Sequence, residues 1–280
     1  MLPTPCTSHV SFDTIYEPSE DSYLFLDTLS SAPESAWLSQ RFNKQPQKPE
    51  PSDGTSSPLV VEVGTGSGVV LGFVAANSQQ IFGRRDILAL GTDVNRNACL
   101  ATRETARKAI GERQGEPLSP NEDKKTAHAN AKTLFLDSLI TDLTSSFRPG
   151  TVDVLLFNPP YVPTEELPRL PNTTEQQQEQ PASLSRYAKF EQDSYFLSLT
   201  YAGGIDGMET TERLLEEVPG ILHPSRGVAY VLLCKQNRPE QVKERIRGWG
   251  GGWRAETVGN SGVQAGWEKL IIVRLWRCVD

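Results

Sequence analysis

The chain has 280 residues, with 35 acidic against 28 basic side chains and a formal charge of −7. Its length suits one large domain or two small ones. The acidic balance weighs against a protein that grips duplex nucleic acid through phosphates, which usually calls for a basic footprint. No run of about 18 apolar residues occurs, so no transmembrane helix is expected. Met1 to Ser11 lacks a basic region followed by an apolar core, so no secretory signal is expected either. Cys6, Cys99, Cys234 and Cys278 are far apart, without CxxC spacing or a histidine at ligand spacing. That argues against a zinc site or a disulfide framework in this chain, and a cytoplasmic or nuclear setting follows.

In chain order, Glu20 to Leu29 reads as an amphipathic helix with Ser19 as its cap. Ser31 to Pro58 is rich in Pro, Ser, Gln and Lys, and Gly115 to Asn130 is polar and charged. Leu167 to Ser185 carries a Gln/Glu run between prolines. Such compositions bury too little apolar surface to order themselves, so all three are expected to be mobile insertions.

Between them, Leu59 to Val63 is a β-branched run suited to a buried parallel strand. Gly68 to Asn77 reads as helix, Ile87 to Asp93 as strand, and Asn95 to Ile110 as helix with Asn95 as N-cap. Thr133 to Leu136 and Val152 to Phe157 follow as strands, Met208 to Val218 as helix and Gly227 to Cys234 as strand. Gln241 to Trp249 is helical, and Trp253 to Val258 with Lys269 to Trp276 closes the chain as a hairpin. Strands alternating with helices predict a single α/β domain, with a mostly parallel sheet covered on both faces and one antiparallel strand at the end.

The motifs lie where these strands end. The first strand runs into Glu62-Val63-Gly64-Thr65-Gly66-Ser67-Gly68, where alternate glycines permit positive φ and close backbone approach to a ligand. The spacing is GxGxG with no following Lys, neither a dinucleotide fingerprint nor a P-loop. Asp93 ends the second strand, placed to accept both hydroxyls of a ribose. Asp137-Ser138 ends the third, where it can meet an adenine's amine or simply cap a helix. The fourth runs into Asn158-Pro159-Pro160-Tyr161. Two prolines stop the strand and stiffen the backbone, and Asn158 is held extended. Its side-chain carbonyl is then presented at the carboxyl end of a strand, where open α/β sheets bind ligands. The same dipeptide also occurs as a plain turn breaker.

Taken together the set resembles the class I S-adenosylmethionine-dependent methyltransferase fold, a Rossmann-like seven-stranded sheet with a C-terminal antiparallel strand. Tyr16-Glu17-Pro18-Ser19-Glu20-Asp21-Ser22 is similar to a signature of the HemK-like glutamine methyltransferases, as are Phe157 to Val162 and Ala202-Gly203-Gly204-Ile205-Asp206-Gly207. The branch most resembled is the eukaryotic one that modifies the class I translation termination factor. The match runs from Tyr16 to about Trp276 and departs in the three insertions. The resemblance implies S-adenosyl-L-methionine as cofactor, held by Ser22, Glu62, Gly64, Gly66, Asp93, Asp137, Ser138 and Asn158, with residues 1 to 30 folded over it. Asn158, Pro159, Pro160 and Tyr161 would hold the target amide.

No histidine stands near that motif, and His9, His128 and His223 read as loop or surface residues, so no dedicated general base is expected. The resemblance also implies a heterodimer with a small zinc-containing activator subunit. Pairing is expected along the strand at Thr133 to Leu136, an apolar edge that needs cover. The rival readings are an adenine amino-methyltransferase acting on nucleic acid, a protein lysine methyltransferase, and a cofactor-binding scaffold without activity. Lysine presents a flexible ammonium rather than a planar amine.

Overall fold

Leu59–Val63 forms the central strand β1, and its period-2 alternation explains how the core divides. In a computed structural model that describes residues 2–43, 56–115, 132–170, 186–262 and 269–278, β1 lies between β2 (Leu88–Asp93) and β4 (Val154–Phe157). The full sheet has the order β3-β2-β1-β4-β5-β7-β6, with β3 at Leu134–Ile140, β5 at Val228–Cys234, β6 at Trp253–Asn260 and β7 at Leu270–Arg277. The first five strands are parallel, and β7 runs antiparallel between β5 and β6. The strand order reverses at β1, so the crevice between β1 and β4 is the position where such sheets bind ligands.

Alternate residues feed two cores. Val60, Val154, Leu156, Val228, Tyr230 and Leu232 point into one, shared with helices α1 (Glu20–Ser30), α2 (Ala32–Phe42), α3 (Val69–Ala76) and α4 (Ser78–Phe82). Val61, Val63, Leu155, Phe157, Ala229 and Val231 point into the other, with Leu214, Leu215 and Val218 of α7 (Glu209–Ile221) and Val242 and Ile246 of α8 (Pro239–Arg247). Helix α5 (Arg96–Gln114) packs against α3, and Asn95 caps it as expected, accepting from the Asn97 N–H at 2.9 Å. Among the described residues no helix is long and apolar enough to cross a membrane.

Two expectations are corrected here. The segment expected to be mobile from Ser31 to Pro58 begins with an ordered helix, α2, in which Leu38 and Phe42 are buried. Its ordering comes from an ion pair: Arg274 donates to both Glu34 oxygens at 2.9 Å, with the two side chains only 8% and 5% exposed. Tyr230 donates to the same carboxylate, and the Arg274 guanidinium lies 4.0 Å from the Trp37 ring centre and 4.6 Å from that of Trp276. Residues 44–55 lie outside the described residues, as do 116–131 and 171–185 of the other two insertions. Second, Ser19 stands at the N-cap of α1 but makes no side-chain cap bond. Helix α6 (Arg186–Tyr201) adds to the predicted elements; none of its residues is buried, although Tyr187, Phe190, Leu197 and Tyr201 recur at helical spacing.

A buried ion pair costs most when one partner is left alone. Glu34→Ala is therefore expected to destabilise the protein by about 3–5 kcal/mol in denaturant unfolding, and Glu34→Leu combined with Arg274→Met by much less. Equal losses in the two variants would show that the pair does not hold α2.

Candidate active site

Strand register builds the site. Val63 of β1 lies beside Thr92 of β2 and Phe157 of β4. The next residue on each strand, Gly64, Asp93 and Asn158, therefore leaves the sheet side by side. They border a cavity of about 380 Å³ that Glu62, Gly66 and Tyr161 also line. Ile15, Tyr16, Asp21 and Ser22 of the N-terminal segment close it from above. That segment is anchored by the Asn95 amide, which donates to the Thr14 carbonyl at 2.8 Å.

The glycine turn is left-handed at all three glycines: Gly64, Gly66 and Gly68 have φ of +63°, +53° and +75°. A Cβ on Gly68 would sit 2.6 Å from the Thr102 Cα, so α5 can approach only a glycine there. Asp93 clasps the turn. One of its oxygens accepts from the Gly66 N–H at 3.0 Å and the other from the Asn95 N–H at 2.8 Å. Glu62 accepts from the Thr65 hydroxyl at 2.9 Å and the Leu71 N–H at 3.0 Å. Burial pushes the Glu62 carboxyl up to about 8 and Asp93 up to about 6, against the pull of these hydrogen bonds. Both are acceptors short of positive charge.

Asn158 is held at one end and open at the other. Its Nδ2 donates to Asp21 Oδ2 at 3.1 Å, while its Oδ1 is buried with no hydrogen-bond partner. A buried polar atom left unmatched is costly, and here it borders the cavity. The backbone of Pro160 and Tyr161 is backed by Ala202 to Gly207. A Cβ on Gly203 would lie 2.6 Å from the Pro160 carbonyl oxygen, and one on Gly207 2.0 Å from that of Tyr161. Only glycine permits such contact, which gives the Gly-Gly-x-Asp-Gly motif a physical reason. The Asn237 side chain further pins the segment through the carbonyls of Asp206 and Gly207.

Of the expected site residues, Ser22, Glu62, Gly64, Gly66, Asp93 and Asn158 to Tyr161 come together around the cavity. Asp137 and Ser138 do not. Strand β3 runs on to Ile140, so both lie within it rather than at its end. Asp137 is bound by Arg103, whose Nη2 donates at 3.1 Å, and neither residue lines the cavity. Thr141, Asp142 and Leu143 follow the true strand end and line it instead, with Asp142 paired to Arg213. The missed signal is the apolar Leu139-Ile140 continuing past Asp137. His9 is also not a surface residue: its ring packs on α5, with Nε2 3.1 Å from the Thr105 hydroxyl. Among the described lining residues there is no histidine, and His128 lies outside the described residues.

The cavity suits a nucleoside bearing a cationic tail. The glycine turn leaves room for a ligand, since a Cβ on Gly66 would meet nothing nearer than the Gly64 carbonyl at 4.0 Å. Two raised carboxyls and an unpartnered amide oxygen all call for donors or positive charge. This sheet order and these strand ends are those of the class I S-adenosyl-L-methionine-dependent methyltransferase fold.

No protein-family model matches the chain. Methyltransferase HEMK2 of Mus musculus is 29% identical over 286 residues, 98% of this chain and 96% of that protein. The eRF1 methyltransferase catalytic subunit mtq2 of Schizosaccharomyces pombe is 28% identical over 281 residues, 99% and 96% of the two chains. A solved Mtq2–Trm112 complex of E. cuniculi, responsible for methylation of the eRF1 termination factor, has a chain that superposes at a TM-score of 0.47, with 20% identity over 95% of this chain and 99% of that one. Over nearly its whole length the chain is thus similar to HEMK2 and mtq2, at 28–29% identity.

The raised carboxyls give a signed pH effect. Both bind protons more tightly folded than unfolded, so the stability they contribute is fully present below the ordinary carboxylate range. It is lost as pH rises through about 6 for Asp93 and about 8 for Glu62. In ligand-free protein the thermal midpoint of wild type should fall relative to Glu62→Gln between about pH 5 and 9. Parallel profiles for the two would contradict the assignment.

Proposed function

We propose that the protein methylates the side-chain amide nitrogen of a glutamine in a translation termination factor, as the catalytic subunit of a heterodimer with a small zinc-containing activator. The observation that carries this is the buried, unpartnered Asn158 Oδ1 at the carboxyl end of β4. The name of the relative mtq2, an eRF1 methyltransferase catalytic subunit, supports the choice of substrate and the reading as one subunit of a complex. The same reading places the protein in the cytoplasm, where translation terminates, and in the nucleus.

An amide nitrogen is a poor nucleophile because its lone pair is delocalised, as the ~18–20 kcal/mol barrier to peptide rotation shows. Bound S-adenosyl-L-methionine supplies an activated sulfonium methyl, so the burden on the protein falls on the acceptor. Asn158 Oδ1 and the Pro159 carbonyl would accept the two amide hydrogens, orienting the nitrogen and enriching its electron density. As the nitrogen–methyl bond forms and the carbon–sulfur bond breaks to a neutral thioether, the nitrogen becomes strongly acidic and releases one of those protons to water. Tyr161 would pack on the amide plane. Orientation of this kind can supply ~7–11 kcal/mol, against ~100–10,000-fold for a proton-transfer group. Positioning dominates in a site whose described lining holds no histidine. Ser22, Glu62, Gly64, Gly66 and Asp93 would hold the cofactor, and Asp142 takes the place first given to Asp137 and Ser138.

The partner has a place to bind. Strand β3 is one of the two sheet edges and exposes Leu134, Leu136 and Ile140 at 56%, 42% and 46%. An apolar edge strand is a pairing and aggregation site unless covered, and strand addition by the activator would cover it.

Two outcomes follow. Asn158→Ala should cut methyl transfer by about 100–1,000-fold or more, while cofactor affinity by calorimetry holds; lost affinity would make the residue mainly structural. The chain expressed alone should aggregate, and co-expression with the activator should rescue it unless Leu134 and Leu136 are both replaced by Lys. A soluble, monodisperse and active chain without a partner would sink the pairing.

A further inference from the structure

We propose that Asp21 is a positioning residue for the reaction, setting which end of the Asn158 amide faces the acceptor. This rests on the reading that Asn158 receives a planar –NH2 group. A side-chain amide is a donor at one end and an acceptor at the other, and rotation by half a turn exchanges them. If Asn158 turned its Nδ2 to the cavity, it would oppose the N–H of the acceptor amide with a donor of its own. The site works in one orientation only.

Asp21 supplies the bias. A carboxylate accepts and cannot donate, so the amide end facing it must be the nitrogen. Asp21 Oδ2 accepts from Asn158 Nδ2 at 3.1 Å, which leaves Oδ1 as the buried, unpartnered end. Its other oxygen is fixed too, accepting from the Ser22 N–H at 2.6 Å and the Ser22 hydroxyl at 3.3 Å. Asp21 is 4% exposed, and it lies in the first turn of α1, where the helix dipole favours a negative charge. The carboxylate is thus held by its own helix and offers one oxygen across the cavity rim. The N-terminal segment that lines the cavity thus also orients the acceptor site, because Asp21, the neighbour of Ser22, is the residue that turns Asn158.

The test pairs a spectroscopic readout with kinetics. In the heterodimer labelled with 15N-asparagine, the Asn158 side-chain amide is identified by its loss in Asn158→Ser, and slow solvent exchange of its protons is expected. In Asp21→Asn, whose amide can meet either end of Asn158, that exchange should quicken. With S-adenosyl-L-methionine as donor and recombinant termination factor as acceptor, kcat should fall about 10–100-fold, a cost like that of losing the groups that orient metal ligands. Cofactor affinity by calorimetry should stay as in wild type, and Asp21→Glu should recover part of kcat. Unchanged Asn158 resonances, unchanged kcat, or a loss of kcat matched by lost cofactor affinity would each overturn the proposal. A wild-type enzyme that left the termination factor unmodified would instead overturn the proposed substrate, and the Asn158 resonances would still decide the role of Asp21.

Discussion

Everything in this protein depends on the register of three parallel strands. Because Val63 pairs with Thr92 on one side and Phe157 on the other, the glycine turn, Asp93 and Asn158 emerge at one height on adjacent strands. A shift of one residue would move each strand's side chains to the opposite face and separate the three. The two cores enforce that register, since alternate residues of β1, β4 and β5 are committed to different apolar clusters. Chemistry at the strand ends is therefore a consequence of packing in the sheet.

A second layer rests on that frame. The N-terminal segment reaches the cavity through Ile15, Tyr16, Asp21 and Ser22, and α1 continues into α2, which is clamped to the far strands by Arg274 and Glu34. The clamp is remote from the cavity, yet it fixes the base from which Asp21 reaches Asn158. On the opposite side, Gly203 and Gly207 press against the carbonyls of Pro160 and Tyr161. The acceptor motif is thus braced by side-chain bonding in front and by backbone contact behind. Pre-organisation of this kind suits a reaction whose difficulty is orientation.

The sheet and most of the cavity were legible because their signals are local. β-Branched runs mark β1 and β5, alternate glycines mark the turn, and Pro159-Pro160 marks the end of β4. What was illegible depends on distant partners. Helix α2 looks like a polar insertion because the group that orders it, Arg274, lies 240 residues away. The bond between Asp21 and Asn158 spans 137 residues and leaves no trace in spacing. Asp137 and Ser138 were misplaced for a different reason. β3 is an edge strand with a register irregularity opposite Ala89 and Leu90, and its half-exposed alternation does not show where it ends.

At the centre stands the proposed reception of a planar protein amide by the buried Asn158 oxygen. Its most direct test is to incubate the heterodimer and S-adenosyl-L-methionine with the termination factor, and separately with adenine-containing DNA and RNA, and to locate the methyl group by tandem mass spectrometry. One methyl is expected on the side-chain nitrogen of a glutamine and none on the oligonucleotides. A methyl on adenine or on lysine, with glutamine untouched, would contradict it.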